Sequence, residues 1–380
     1  MKILIGGDFV PNVIGLSKEE KIFSPNVLDK DLINYLNECD INLFNCEAPI
    51  TDSKIPTVKC GQNIRIEKKN EICFSKIQNL IFSLANNHIL DFGSNGIKDT
   101  LKILKKNNIE YFGAGENLEK AKEPLILEKE GYHVGLYSCT EAEFSSATEF
   151  TYGANPMDTI YSFDDVSSLK KKCDFVIVLY HGGKEFYPYP SPILQKICRR
   201  FIEKGADLVI CQHSHCIGCV EDYKNGKVVY GQGNFLFEDE SEKDNEMWKF
   251  GLLIEVNICN NSTEINYKLL ENNENFVQFS NNEEQLQKFK NQSAKIKDKD
   301  FIQQEYIEFS KIYINEYLYF MQKGNKLFLA LNKFSRSLFK RELYDFIYPP
   351  KVLLSLLDII MCEAHQELLI EGLKTKIYKK

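Results

Sequence analysis

Side chains of the types that bind metals and transfer protons follow a short apolar run near residue 85. Residues 80–85 have the character of a buried strand, and Asn86, Asn87 and His88 come directly after it. Asp91 stands three residues further on. An amide oxygen can ligate a metal ion, and an imidazole oriented by a carboxylate can donate a proton. We therefore predict that Asn87 is a metal ligand and that His88 and Asp91 are catalytic.

Carboxylates and imidazoles follow the other predicted strands in the same way. Four of the six histidines of the chain stand where an apolar run ends. Divalent transition metals are bound by carboxylates and imidazoles, and a carboxylate can bridge two ions about 3.5–4 Å apart. Such a pair lowers the pKa of a bound water and stabilises both the attacking and the leaving oxygen. Together with Asn87, the predicted metal ligands are Asp8, Glu47, His181, His213 and His215.

Each of these residues has a simpler explanation when it is taken alone. Asp8 after two glycines could cap a turn, and Glu47 before Ala-Pro could be an acid in a surface loop. His213 and His215 alternate along an extended chain, which would turn their rings to opposite sides unless a local turn gives one ring to each ion. The recurrence of such residues at five strand ends favours the metal site.

Alternating strands and helices must position these side chains. Helices are expected between the strands, which makes the pattern typical of an α/β fold with its chemistry at the carboxyl ends of parallel strands. The predicted strands that end beside a candidate ligand cover residues 2–5, 41–45, 80–85, 174–180 and 206–211.

The pattern changes after about residue 275. Apolar residues recur every three or four positions over residues 302–320, which predicts a long amphipathic helix. Further helices are predicted at residues 326–343 and 352–373. We therefore predict two domains, residues 1–275 and 276–380, and we expect the helices of the second to pack on the first or to form a dimer contact.

Charge and composition argue against several classes of function. A net charge of −7 disfavours non-specific binding of nucleic acid. No apolar stretch approaches the ~20 residues needed to cross a bilayer, and the first residues do not resemble a signal peptide. We therefore expect a cytoplasmic protein with reduced cysteines. The glycine turns at residues 113–115 and 231–233 do not match a complete GxGxxG, which disfavours a nucleotide-binding module.

Eight motifs follow one another over roughly residues 1–260. They are Gly7-Asp8, Asn45-x-Glu47-x-Pro49, Leu84-Ala85-Asn86-Asn87-His88 with Asp91, Gly113-Ala114-Gly115, His181-x-Gly183-x-Glu185, Gly205-Ala206-Asp207-Leu208-Val209-Ile210, His213-x-His215 and Gly233-Asn234-Phe235. In this order, the motifs resemble those of the CapA (PgsA-like) capsule and poly-γ-glutamate synthesis proteins, whose domain is similar to calcineurin-like metallophosphatases.

The resemblance implies a four-layered α/β/β/α sandwich that holds one or two divalent ions (Mn, Zn or Fe). Glu47 would bridge the ions, and His88 would stand beside the leaving group. The chain departs from the metallophosphatase pattern at Val10, where that pattern has a histidine, and this leaves one ion a ligand short. Asp8 and His215 would hold one ion, and the other would be held by Asn87, His181 and His213.

Two functions are compatible with this resemblance. The first is a metal-dependent hydrolase of capsule or poly-γ-glutamate biosynthesis, acting on a phosphoester or on an amide such as a γ-glutamyl linkage. The second is a non-catalytic accessory protein of polymer synthesis or export that keeps the fold and uses the site for binding. In either case we expect a small-molecule or polymer substrate and association with a membrane synthesis complex. Asn86, Glu143, Glu185 and Tyr187 are candidates for substrate contacts.

Overall fold

The structure, a computed structural model, describes most of the chain in two compact units, Met1–Gln303 and Gln304–Lys380. The predicted boundary after residue 275 lies upstream of this division, because one further strand and one further helix belong to the first unit. The described residues are 1–11, 13–14, 26–129, 131–237, 242, 244–259, 262–273, 276–298, 300–321 and 348–361, with isolated positions between 365 and 377.

Two large sheets form the first unit. In chain order the strands are β1 (Lys2–Val10), β2 (Val13–Ile14), β3 (Ile41–Asn45), β4 (Arg65–Ile66), β5 (Leu80–Ser83), β6 (Glu110–Phe112), β7 (Ala114–Gly115), β8 (Leu125–Lys129), β9 (Tyr132–Thr140), β10 (Gly153–Ala154), β11 (Phe175–His181), β12 (Leu208–Gln212), β13 (Val220–Tyr223), β14 (Gly226–Val229), β15 (Asn234–Phe237), β16 (Phe250–Cys259), β17 (Ser262–Asn273) and β18 (Phe276–Phe279). The first large sheet has the strand order β18-β17-β16-β1-β3-β5-β6, with β15 also paired to β1, and the second has the order β13-β14-β12-β11-β9-β8.

Helices connect these strands and cover the sheets. A 3₁₀ helix also spans Lys68–Cys73. The α-helices are α1 (Lys30–Asn37), α2 (Gly93–Lys106), α3 (Leu118–Ala121), α4 (Ser162–Lys170), α5 (Pro192–Glu203), α6 (Glu246–Lys249), α7 (Glu283–Lys295), α8 (Phe301–Met321) and α9 (Pro350–Met361).

The strands that carry the site run parallel to one another within each sheet. In the first sheet β1 pairs with β3 and β3 with β5, and in the second β11 pairs with both β9 and β12. All seven residues of β11 are buried, which is typical of a parallel strand that is covered on both faces. The carboxyl ends of these strands therefore bring polar side chains to one edge of each sheet.

The two sheets pack face to face. Ile5 and Leu43 of the first sheet belong to the same core cluster as Leu136, Ile177 and Ile210 of the second, and all are almost completely buried. This apolar layer removes both inner faces from water, which is the main stabilisation of such a sandwich.

Helices close the two outer faces. Leu32 and Leu36 of α1 and Ile97 of α2 pack in the core of the first sheet. On the second sheet, Leu169 of α4 fills the space over Gly135 of β9, and α5 also contacts this sheet. The four layers α/β/β/α confirm the fold class predicted from the sequence.

The second unit contains most of α8 and, further along the chain, α9. Helix α8 corresponds to the amphipathic helix predicted at residues 302–320. The helix predicted at 326–343 lies outside the described residues, and the one predicted at 352–373 is described continuously only as far as Met361. Within the described ranges, every helix is too short or too polar to cross a membrane.

Candidate metal centre

The six predicted metal ligands meet at one place between the two sheets. Asp8 lies near the end of β1, where it is in register with Asn45 on β3 and Asn234 on β15. Glu47 follows β3, and both carboxylates are fully buried. Asn87 follows β5. The second sheet contributes His181, the last residue of β11, and the two histidines that follow β12, His213 and His215.

One set of donors consists of Asp8, Glu47 and His215, here called the Asp8 group. One ligand atom from each residue lies within 4.8 Å of the other two. The Nδ1 atom of His215 is 3.6 Å from Asp8 Oδ2 and 2.8 Å from the Oδ1 atom of Asn234. Donation from Nδ1–H to Asn234 would orient the ring and leave Nε2 as the nitrogen able to ligate.

The second set of donors consists of Glu47, His181 and His213, here called the His181 group. Its ligand atoms also lie within 4.8 Å of one another. His181 Nε2 is 3.2 Å from Glu47 Oε1 and 3.0 Å from Asn87 Oδ1, so the amide joins this group. Glu47 belongs to both groups, as a bridging carboxylate must.

Several buried polar atoms of the cluster have no hydrogen-bond partner among the described residues. They are both carboxylate oxygens of Glu47 and the Nδ1 atom of His213. A buried polar group without a partner is destabilising, and such groups in native proteins call for an explanation. Carboxylate, imidazole and amide donors at this spacing fit divalent metal ions, which would supply the missing partners.

Burial also shifts the protonation of the cluster. Burial, and next the charge of Glu47, raise the pKa of Asp8 to about 7. Burial raises the pKa of Glu47 to about 8, and it lowers the pKa of His181 to about 4. Without an ion, the two carboxyl groups therefore retain protons near neutral pH. Metal binding must displace these protons, so affinity should rise with pH.

The backbone turns at His213 and His215, which Ser214 separates. His213 has φ 87° and His215 has φ 51°, both in the left-handed region that L-residues rarely adopt. Strain of this kind is of order 1–3 kcal/mol per residue and clusters at functional sites. The ring centroids lie 5.9 Å apart. Of the two arrangements left open by the sequence, the structure has the local turn that brings both rings to the centre.

His88 and Asp91 form a pair beside the metal ligands. His88 Nδ1 lies 2.7 Å from Asp91 Oδ2, which also accepts a hydrogen bond from the backbone N–H of Ile64 at 2.7 Å. Asn86, a predicted substrate contact, is instead fully buried. Its Nδ2 donates to the carbonyl of Cys46 at 2.9 Å, and its Oδ1 accepts from the N–H of His88 at 3.2 Å, so its amide braces the turn.

Lys59 is a residue of the site that sequence reasoning missed. Its ammonium forms an ion pair with Asp91 and lies 3.3 Å from His88 Nδ1, and its side chain is only 6% exposed. The N–H of Thr57 donates to the Asp91 carbonyl at 2.8 Å and fastens this segment to the turn. Lys59 stands in a polar stretch that the sequence marks only as an insertion, and no local pattern singles it out.

The remaining predicted substrate contacts lie in different environments. Glu185 is exposed, and one of its carboxylate oxygens lies within 4.8 Å of ring nitrogens of both His213 and His215. Glu143 is also exposed, and its charge acts to raise the pKa of His181 against the larger lowering by burial. Tyr187 is buried beside Tyr189, with ring centroids 6.0 Å apart, and packs within the protein.

Comparison with known proteins gives matches over the same region. The family model for the bacterial capsule synthesis protein PGA_cap matches residues 2–239. The capsule biosynthesis protein CapA of Bacillus anthracis is 30% identical over 240 residues, which cover 61% of this chain and 57% of that protein. The PGA biosynthesis protein CapA of Bacillus subtilis (strain 168) is 30% identical over 199 residues, covering 51% and 52% respectively. The chain thus spans about half the length of these relatives.

Solved structures resemble the chain more distantly. The NAD nucleotidase (NadN) of Haemophilus influenzae superposes with a TM-score of 0.42 and 13% sequence identity. The superposition covers 75% of this chain and 61% of that one. A similarity of this degree says nothing about the activity of this chain.

Proposed function

The chain belongs to the family of the bacterial capsule synthesis protein PGA_cap, and on that premise we propose that it is a metal-dependent hydrolase in the synthesis of a capsule or poly-γ-glutamate type polymer. The family membership confirms the resemblance seen in the motifs. The observation that carries the proposed activity is the position of Glu47. Its carboxylate is fully buried, has no hydrogen-bond partner among the described residues, and belongs to both donor groups.

Each of the two donor groups would hold one ion. Asp8 and His215 would hold one ion, and His181, His213 and Asn87 the other, with Glu47 between them. Bound divalent ions supply Lewis-acid polarisation of the scissile group and acidify a water molecule.

His88 would act on the leaving group. It adjoins Asn87 in the chain but belongs to neither donor group. Asp91 and Lys59 hold the ring from the Nδ1 side, so Nε2 is the atom that can hold or release a proton. A proton released from Nε2 would neutralise the leaving oxygen of a phosphoester or the leaving nitrogen of an amide.

The substrate belongs to one of two chemical classes. The names of the relatives point to a capsule or a poly-glutamate polymer, whose γ-glutamyl linkages are amides. The donor set itself suits a phosphoester equally well. We propose hydrolysis of one of these two bond types and separate them by assay.

The test uses the full chain, stripped with a chelator and reloaded with Mn²⁺ or Zn²⁺. Metal content is measured by mass spectrometry, and turnover is measured on an aryl phosphate, an aryl phosphodiester and a γ-glutamyl anilide. We expect bound metal and metal-dependent turnover of one substrate class. Glu47→Gln should abolish both, whereas the matched control Glu149→Gln, at an exposed position, should change neither.

The outcomes separate the two functions that the family allows. Metal binding without turnover of any of these substrates, or of a poly-γ-glutamate oligomer, would overturn the hydrolase and leave an accessory protein that uses the site for binding. Failure of the wild type to bind any divalent ion would remove the metal centre itself.

A further inference from the structure

One of the two donor groups has fewer donors than the other. The His181 group has four donors when Asn87 is included, because the Asn87 amide oxygen lies 3.0 Å from His181 Nε2. The Asp8 group has three. Val10, two residues after Asp8 on the same strand, is a fully buried apolar side chain and offers no ligand atom. A complete shell around an ion in the Asp8 group therefore needs a donor from elsewhere.

Glu185 lies beside one histidine of each donor group. One of its carboxylate oxygens is within 4.8 Å of ring nitrogens of both His213 and His215, and His215 is a member of the Asp8 group. The side chain is exposed, whereas the other ligands of the group are buried. Its carboxylate thus closes the cluster from the solvent side.

The backbone around Glu185 is fastened to the turn that carries the two histidines. The N–H of Phe186 donates to the carbonyl of Ser214, the residue between them, at 2.8 Å. Phe186 has φ 58°, a left-handed conformation that L-residues rarely adopt, and the preceding Gly183 has φ 115°. The N–H of Gly183 donates to Glu141 Oε1 at 3.0 Å. This strained, doubly anchored segment holds Glu185 at a set distance from the histidine rings.

A second observation concerns the ring of His213. His213 is only 9% exposed, and its Nδ1 is buried without a hydrogen-bond partner among the described residues. A buried imidazole nitrogen in this state is satisfied by a metal ion or by a hydrogen-bond partner that the described residues do not provide. The same ring is one of the two that face the Glu185 carboxylate.

We propose that Glu185 is a further metal ligand of the centre, beside His213 and His215. This inference rests on the metal centre of the proposed function. His215 belongs to the Asp8 group, which has the fewer donors, and His213 belongs to the His181 group. Glu185 would be the third carboxylate of the centre after Asp8 and Glu47, and carboxylates suit Mn²⁺ better than imidazoles do. Glu185 therefore affects which ion the centre takes, in addition to how many.

The experiment titrates Mn²⁺ into the chelator-stripped full chain and counts free Mn²⁺ by electron paramagnetic resonance. We expect the wild type to bind two ions and Glu185→Gln to bind one of them as before and the other roughly tenfold or more weakly. Glu143→Gln is the matched control, because its charge also acts on His181 but its carboxylate belongs to neither donor group. The affinity for Zn²⁺, measured by calorimetry, should change less than the affinity for Mn²⁺ in the Glu185→Gln variant.

Each outcome decides the matter. Unchanged Mn²⁺ stoichiometry and affinity in Glu185→Gln would overturn the inference and leave Glu185 as a substrate contact. Equal weakening by Glu185→Gln and Glu143→Gln would also overturn it, because general electrostatics would then explain the effect. A wild type that binds no divalent ion would overturn this inference together with the metal centre, whereas bound metal without turnover would overturn the hydrolase alone.

Discussion

Raising the pH from 6.5 to 8 should destabilise the metal-free protein, and a bound divalent ion should remove that effect. Asp8 and Glu47 have pKa values of about 7 and about 8 in the folded protein, against ordinary values of 3.8 and 4.5. The folded state therefore keeps two protons that the unfolded state has released. Because the folded state binds more protons, its stability falls as the pH rises through these two pKa values.

The buried histidines contribute with the opposite sign, at lower pH. The pKa of His181 falls to about 4 from an ordinary 6.5, and the pKa of His213 is also lowered. Their folded forms bind fewer protons than the unfolded chain, so their contribution to stability rises with pH until about 6.5. Below that pH the two effects oppose each other, and above it the carboxyl groups dominate, because an ordinary imidazole is already at least half deprotonated.

The expected size follows from the two carboxyl pKa values. Integrating their proton occupancy between pH 6.5 and 8 gives a loss of about 2 kcal/mol in the free energy of unfolding. For a unit of this size, the entropy of unfolding converts that loss into a fall in Tm of about 4 °C. Since Glu47 has the higher pKa, it accounts for roughly two thirds of the change.

The assay is scanning calorimetry of the chelated protein at both pH values, repeated with saturating Mn²⁺. Glu47→Gln should remove most of the pH dependence of the metal-free Tm, and Glu149→Gln should retain it. With Mn²⁺ bound, the protein should be more stable at pH 8 than at pH 6.5, because ligation requires the ionised carboxylates. A metal-free Tm that stays constant or rises over this interval, or an undiminished fall in Glu47→Gln, would refute the reasoning.

Three further predictions concern single residues. His88→Ala should lower kcat by about 10²–10⁴-fold with unchanged metal content, since it removes a proton donor and no ligand. Loss of bound metal in this variant would instead make His88 a ligand. His133→Ala is the matched control. Lys59→Met should lower the free energy of unfolding by roughly 3 kcal/mol in urea titrations, because it leaves the buried Asp91 without its cation. Lys59→Arg should recover part of this loss. Equal losses in the two variants would show that the charge of Lys59 is unimportant. Gly7→Ala should lower the free energy of unfolding by more than about 3 kcal/mol, because its Cβ would lie 1.9 Å from a backbone oxygen just before β15. In the control Gly61→Ala the Cβ would meet no atom within 4 Å, so the loss should be only about 1–2 kcal/mol, from the left-handed φ of 85°. Similar losses in both variants would contradict the proposed clash.

Residues at the ends of strands were the predictable part of the site. An apolar run that stops at a polar side chain is visible in one dimension, and parallel strands carry their last residues to a common edge. Asp8, Glu47 and His181 could be placed together for this reason. The α/β class of the fold was predictable on the same grounds, because strand and helix patterns alternate along the first 240 residues. The four layers, in contrast, were expected only from the resemblance to a known family.

Contacts between distant segments could not be predicted in this way. Lys59 reaches Asp91 only because a loop without periodicity folds back over the turn after β5. Tyr187 was predicted to contact substrate together with Glu185, two residues earlier, yet its ring is buried against Tyr189. The strand β15 was not predicted, since its four residues are too few to show alternation and its partner β1 lies more than 200 residues earlier.

The central position of β1 has a consequence for how the protein is made. This strand is synthesised first, but two of its three neighbours, β15 and β16, come from residues 234–259. At translation rates of about 5–20 residues per second, the ribosome needs on the order of tens of seconds to deliver them. Until then β1 has only β3 of its three neighbours, and the histidines after β12 are made only shortly before β15. Acquisition of metal would therefore mark the end of folding of the first unit, and no shorter nascent chain should hold the ions.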